Sequence, residues 1–248
     1  MRLKAALKDW RRRRLLRRAG IGIEVRGPRF VAGARSGVWT VDPRLLDEHS
    51  VVYSVGVGDN IAWDESLIEK FGCTVHAFDP TPRSVEWLRR QELPPGFVHH
   101  ALAVAAHDGP LAFALPRKPR DVNFRPRTGS AVAAADTALV DNGGQLFTAP
   151  AERLLTIARR LGHERIDVLK LDIEGGEYAV LDDLLRSGPA VRQLLVEFHH
   201  GEAGIPFERT ASAIDALHAA GHRIFDISPR GLEFTFVGQD WSASALPR

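Results

Sequence analysis

The stretch VLKLDIEGGEYAVLDDLL, residues 168 to 185, runs from a strand pattern into a helix pattern, with Lys170, Asp172 and Glu174 alternating with Leu169, Leu171 and Ile173. Charged side chains on one face of a core strand are unfavourable unless they are paired or used. LLVEFHH, residues 194 to 200, repeats the alternation with Glu197 and His199 between Val196 and Phe198. Three acids, a lysine and an imidazole at neighbouring strand ends suit removal of a proton from a hydroxyl nucleophile. His199 is the first candidate for the general base, Glu174 and Asp172 are its rivals, and Lys170 would orient a carboxylate or a substrate oxygen. Asp172, Glu174 and His199 could also share a divalent ion, but spacing alone does not establish one and no metal ligand is assigned. The competing structural reading pairs Lys170 with Asp172 or Glu197 and gives Glu174 and Glu177 to the dipole of the following helix.

A second group lies earlier in the chain. VGVGDN places Gly56 and Gly58 at a strand-to-helix junction, where glycines let the backbone turn tightly and approach a ligand. About 20 residues on, as such sites require, Asp79 ends the next strand, where a carboxylate can accept both hydroxyls of a ribose. Asp59, Asn60, Pro80, Ala101 and Asp172 complete the expected contacts to an adenosine-type cofactor. The third glycine of a G-x-G-x-x-G fingerprint is replaced by Ile61, which counts against a dinucleotide whose pyrophosphate needs that close approach. S-adenosylmethionine carries no phosphate and bears a cationic sulfonium that tolerates carboxylates such as Asp59.

The elements that must position these groups alternate between strand-length apolar runs and helical patterns, the signature of a parallel α/β sheet. Strands are expected at residues 50–58, 74–80, 97–104, 165–176 and 192–200, and helices at 61–72, 81–91, 151–162, 177–188 and 207–221. Gly72 would close the first helix, and Thr81 with Pro82 would open the second. The last two strands, residues 222–228 and 232–238, are separated only by PRG, a gap that permits a hairpin and forbids a crossover. Residues 105 to 150 are rich in turn formers and read as a short hairpin plus a long functional loop. The basic run PRKPRDVNFRPR within it, and Trp39 in SGVWTVDP, are candidate specificity and lid elements.

Composition narrows the class. The chain has 248 residues, 44% hydrophobic, enough for a large core and incompatible with overall disorder. A single cysteine, Cys73, rules out an intramolecular disulfide and points to a reducing cytoplasm. No apolar run approaches the roughly 18 residues of a membrane span. Residues 1 to 20 hold nine Lys or Arg and one Asp, a local charge of +8 within a net charge of +2. The expected organisation is a basic extension over residues 1–36 and one domain over 37–248. Within the extension, Leu3, Leu7 and Trp10 fall at helical spacing until Arg14 interrupts them.

VLKLDIEGGEYAVL, with VYSVGVGDN, HAFDPTP and LLVEFHH, resembles the FkbM-like methyltransferases over residues 37 to 240. The signature K-[LIM]-D-[IV]-E-G-x-E is met by Lys170, Asp172, Glu174, Gly175 and Glu177. The chain departs from the pattern in the first motif, often D-x-G-A-N-x-G, where it has Ser54, Gly58 and Asn60, and at Asp79, where Glu is common. The resemblance implies a Rossmann-like class I methyltransferase fold: seven strands, mostly parallel, antiparallel at the last, flanked by helices. It also implies S-adenosylmethionine as donor and O-methylation of a hydroxyl on a sugar, polyketide or similar small metabolite, without nucleic acid as partner. Two readings from other classes stand beside it: an NAD-dependent oxidoreductase, and a non-catalytic protein whose basic arm meets nucleic acid or an anionic membrane surface.

Overall fold

The computed structural model describes residues 2–34, 37–114, 125–126, 146–201 and 204–238. Its centre is a seven-stranded sheet. In chain order the strands are β3 (Val51–Val55), β4 (Thr74–Phe78), β5 (Phe97–His100), β10 (Arg165–Leu171), β11 (Ala190–Glu197), β12 (His222–Ile227) and β13 (Glu233–Gly238). In space they run β12-β13-β11-β10-β3-β4-β5. β13 is antiparallel to both β11 and β12, and the other pairings are parallel. The expected hairpin is therefore present, and its second strand inserts between β11 and β12. Strand order reverses between β3 and β10, so their carboxyl ends flank the crevice where open α/β sheets bind ligands.

Helices cover both faces. On one face α2 (Ala62–Phe71) and α3 (Pro82–Leu88) pack with the hairpin of β1 (Phe30–Ala34) and β2 (Gly37–Val41). Gly72 closes α2 with φ 71°, a left-handed turn that glycine adopts without penalty. On the other face lie α4 (Leu154–Leu161), α5 (Glu177–Ser187) and α6 (Phe207–Ala219), around Leu169, Leu171, Leu194, Val196 and Phe198. Alternation along β10 thus sends Leu169 and Leu171 into this larger core, and Val168 with Lys170 toward α2.

The expected third strand divides. Leu102 N–H donates to His100 O at 2.8 Å, a tight turn that ends β5. β6 (Ala103–Val104) then joins a separate sheet ordered β6-β9-β7-β8 with β7 (Gly109–Ala114), β8 (Arg125–Pro126) and β9 (Leu146–Glu152). β7 pairs antiparallel with both β8 and β9; the turn of the expected short hairpin and, apart from Arg125 and Pro126, the basic run of residues 116–127 lie outside the described residues.

The arginine-rich start forms α1 (Arg2–Arg18), longer than the interrupted stripe implied. Its buried side differs from the expected one: Leu7 and Trp10 are exposed, whereas Arg12 and Leu16 are buried and Leu16 joins the main core. The following segment runs along the edge strand. Glu24 and Val25 N–H donate to Ile224 O, and Glu24 accepts from Ile224 N–H and meets His218 at 3.0 Å. Among the described residues no helix is long and apolar enough to cross a membrane.

Candidate active site

The turn after β3 is shaped by contact with the end of β10. Gly56 has φ 87°, and a Cβ placed there would lie 1.8 Å from the Asp172 carbonyl oxygen. Any side chain would force the two strand ends apart. Gly58, at φ 60°, faces open space with nothing within 4 Å of a would-be Cβ. Two glycines therefore do different work: one permits contact between two strand ends, the other leaves an open cradle.

Asp79 sits where the sequence places it, but its oxygens are already engaged. Oδ2 accepts from Val57 N–H at 3.1 Å, Gly58 N–H at 3.0 Å and the Ser84 hydroxyl at 2.8 Å. Oδ1 accepts from Thr81 N–H at 2.9 Å and the Thr81 hydroxyl at 2.7 Å. Five donors exceed the roughly four lone-pair sites of a carboxylate, so Asp79 latches the glycine turn to the start of α3. Thr81 occupies the cap position of α3, but its hydroxyl turns to Asp79 and Ser84 and caps no helix N–H. Asp59 is exposed and pairs with Arg83 at 3.2 Å. Asn60 accepts from Ala62 N–H and donates to Ala34 O, tying α2 to the β1–β2 hairpin. Pro80 and Ala101 lie at the tips of β4 and β5, where Ala101 is exposed.

The charged residues of β10 and β11 separate into three groups. Lys170, buried, donates to Gly56 O at 3.1 Å and lies 5.7 Å and 5.9 Å from the ring centres of Trp39 and Trp63. Both rings can stabilise the ammonium. Trp39 is itself buried in the core beside Trp63, so it is not the lid expected from the sequence. Asp64, buried nearby, has its pKa raised by loss of solvent, against the pull of Lys170. Glu197 accepts from Arg230 at 3.2 Å, and Arg230 also holds Glu233, the register partner of Glu197 on β13. Burial pushes the Glu197 pKa up to about 8, reinforced by Asp172 and Glu233.

Asp172, Glu174 and His199 form the third group. Their ligand-type atoms lie within 4.8 Å of one another. His199 Nε2 is 3.6 Å from Glu174 Oε2 and 3.9 Å from Asp172 Oδ1, while Nδ1 is 2.9 Å from Glu177 Oε1. Glu177 is fully buried and also accepts from Ile173 N–H at 2.8 Å and Gly175 N–H at 2.9 Å. It is therefore the hub of the loop between β10 and α5. That loop holds Glu174 at φ 58°, a left-handed conformation in a non-glycine residue, of the kind that clusters at functional sites. Burial opposes the charged form of His199, but the contact with Glu177 and the charges of Asp172 and Glu174 overrule it and carry its pKa up to about 10. The Asp172 pKa is raised by burial, against Lys170 and His199. His200, by contrast, is buried against Phe207 and bonded to Thr210, a structural position.

The roles of Glu177, Asp64 and Arg230 were not drawn from the sequence. Only Glu177 leaves a signal there, as the final acid of the signature; the other two depend on which elements become neighbours.

The sequence also matches a known family. A family model described as a methyltransferase FkbM domain matches residues 33–224. The chain is 29% identical over 165 residues to a probable methyltransferase-like protein 24 of Rattus norvegicus, covering 66% of this chain and 36% of that protein. The Homo sapiens counterpart is 29% identical over 171 residues, with 65% and 38% covered. The matched segment thus spans well under half the length of these curated relatives. Among solved structures, the methyltransferase FkbM from Methylobacillus flagellatus KT aligns with TM-score 0.44 and 10% identity, over 77% of this chain and 44% of that one. A fibrillarin pre-rRNA processing protein from Methanococcus jannaschii aligns with TM-score 0.41 and 11% identity, over 85% and 89%. With the family model covering most of its length, the chain belongs to the FkbM methyltransferase family.

Proposed function

We propose that the protein transfers a methyl group from S-adenosylmethionine to a hydroxyl of a small metabolite. The observation that carries this reading is the juxtaposition of Gly56 with Asp172 across the strand-order reversal, which places an open glycine cradle beside a cluster of proton-handling groups. The residues present fit such a donor: Gly58 leaves room at the turn, and Asp59 and Asp172 offer negative charge to a cationic group.

When bound, S-adenosylmethionine supplies an electrophilic methyl carbon, to which the acceptor oxygen bonds as the carbon–sulfur bond breaks with its electron pair left on sulfur. Gly56, Gly58, Asp59, Pro80 and Ala101 line the cradle, while Asp79 acts on it by holding the turn. Asp172, Glu174 and His199 receive the acceptor hydroxyl and are where it loses its proton. Asp172 has the most exposed side chain of the three, at 30% against 16% for Glu174 and 7% for His199, and is the member that meets the acceptor. His199 has both nitrogens facing carboxylates and serves to hold the cluster together. Lys170 positions the glycine turn through Gly56 O and adds positive charge beside Asp172. Alignment of the hydroxyl with the methyl carbon supplies most of the acceleration in such a transfer.

Calorimetric titration with S-adenosylmethionine, run beside NADH, tests the donor, and transfer of labelled methyl to a panel of hydroxylated acceptors tests the reaction. Micromolar binding of S-adenosylmethionine alone supports the proposal. Binding of NADH alone, or of neither, sinks it.

A further inference from the structure

We infer that Asp172, Glu174 and His199 form a site for one divalent first-row transition cation, which binds the acceptor hydroxyl and acidifies it. The inference rests on the reading above for the identity of the acceptor, and on the geometry of the cluster for the ion itself.

The distances around His199 Nε2 are the first argument. At 3.6 Å and 3.9 Å from the two carboxylates, it is beyond hydrogen-bond range. Donors that share one ion at about 2.0–2.2 Å stand roughly 3–4 Å apart; both His199 distances fall in that range, and the three ligand-type atoms together lie within 4.8 Å. The second argument is orientation. Glu177 engages Nδ1 at 2.9 Å and is itself fixed by the Ile173 and Gly175 amides, so Nε2 is aimed at Asp172 and Glu174. A carboxylate behind a ligating imidazole is the usual arrangement that sets ring orientation and tautomer in metal sites. The third is access. His199 is buried, while Asp172 opens toward the crevice beside Gly56. An ion held from one side keeps positions for water and a substrate oxygen.

Two carboxylate oxygens and one imidazole suit manganese or zinc; calcium prefers more ligands, all oxygen. A hydroxyl bound to the ion gives its proton to water and enters methyl transfer as an alkoxide, with no change in oxidation state of the metal. The competing arrangement is a protonated His199 between the carboxylates, with no ion.

The test uses the full chain after chelator treatment, with no methyl donor present. Titration with manganese chloride or zinc chloride should give one site per chain with micromolar or tighter affinity. Magnesium and calcium should bind at least tenfold more weakly, and loss of the free-manganese paramagnetic signal should report the same stoichiometry. Asp172→Asn and His199→Ala should each weaken binding by at least a hundredfold, and Glu177→Gln by about 10–100-fold, the usual effect of an outer-shell partner. Asp182→Asn, at an exposed ion pair with Arg209, should change nothing. Circular dichroism identifies any variant that fails to fold; Glu174→Gln then replaces it. Absence of stoichiometric binding to the wild type at 100 μM metal, or unchanged binding in the Asp172→Asn/His199→Ala double variant, overturns the site. Methyl transfer undiminished by chelator overturns its role in the reaction. Metal binding without S-adenosylmethionine binding leaves the ion site standing and removes the proposed function.

Discussion

Asp79 and Asp172 end strands on either side of the crevice, and the same residue type does opposite things there. Asp79 accepts five hydrogen bonds at 2.7–3.1 Å from the turn after β3 and the start of α3. Asp172 has His199 Nε2 at 3.9 Å and a partly open side chain. A carboxylate saturated by backbone and hydroxyl donors builds structure, because each donor lost from a buried site leaves an unmet group. A carboxylate whose neighbours stand back is poised for something that arrives later. The proposed chemistry therefore falls on the β10–β11 side of the reversal, with the β3–β4 side as a rigid rim.

Substitutions should separate the two regions by splitting stability from activity. The largest loss of stability is expected for Asp79→Ala, which strands several buried donors at about 1–3 kcal/mol each. A net loss of about 3–5 kcal/mol should appear in denaturant titration, with donor binding lost at the same time. If stability hardly changes while S-adenosylmethionine binding disappears, Asp79 is a ligand contact and the latch interpretation fails. Glu177→Ala should follow, at about 2–4 kcal/mol, since it removes the acceptor for two amides and the partner of His199. Activity should fall further than the stability loss explains.

Asp172→Asn should invert the pattern. A change within about 1 kcal/mol in stability is expected for a partly exposed side chain, with kcat down by about 100-fold or more, in the range for loss of a proton-handling group. A stability loss as large as that of Asp79→Ala would erase the proposed difference. Glu174→Gly relieves the left-handed backbone at φ 58° and should stabilise the fold by about 1 kcal/mol while lowering methyl transfer. Thermal melts beside kinetics decide it.

A third polar group, away from both ends, provides a pH control. His76 is driven down to about 4 by burial, with His163 and His100 adding to the effect, and both of those are also lowered chiefly by burial. The folded state thus prefers neutral rings. Their contribution is present above the ordinary histidine pKa of about 6.5 and is lost as pH falls through the folded value. Melting temperature should drop by a few degrees between pH 7 and pH 4, and His76→Gln should flatten part of that slope. An unchanged slope would remove His76 as its source.

Much of the architecture was legible along the chain. Alternation at Leu169, Leu171, Leu194 and Val196 marks one buried face, and the three-residue PRG gap forces β12 and β13 to be antiparallel. Gly56 and Gly58 were found because positive φ and close approach leave few other residue types possible. The gathering of Asp172, Glu174 and His199 also followed from strand ends that become neighbours. Less of the site's wiring was visible. Arg230 on Glu197 and the Ser84 hydroxyl on Asp79 are contacts whose partners no local pattern names. α1 shows the same limit: spacing pointed to Leu7 and Trp10, yet Leu16 enters the core.

The sequence by itself determined the order and kind of the elements of the central sheet, the glycine turn and the charged strand ends. These depend on periodicity and backbone sterics, which act within a few residues. Only the tertiary structure decided that Asp79 is latched, that Lys170 lies against Trp39 and Trp63, and that Glu177 reaches across to aim His199 at two carboxylates. Those outcomes depend on which side chains the sheet register brings within about 3–4 Å, the range in which hydrogen bonds and ion pairs act.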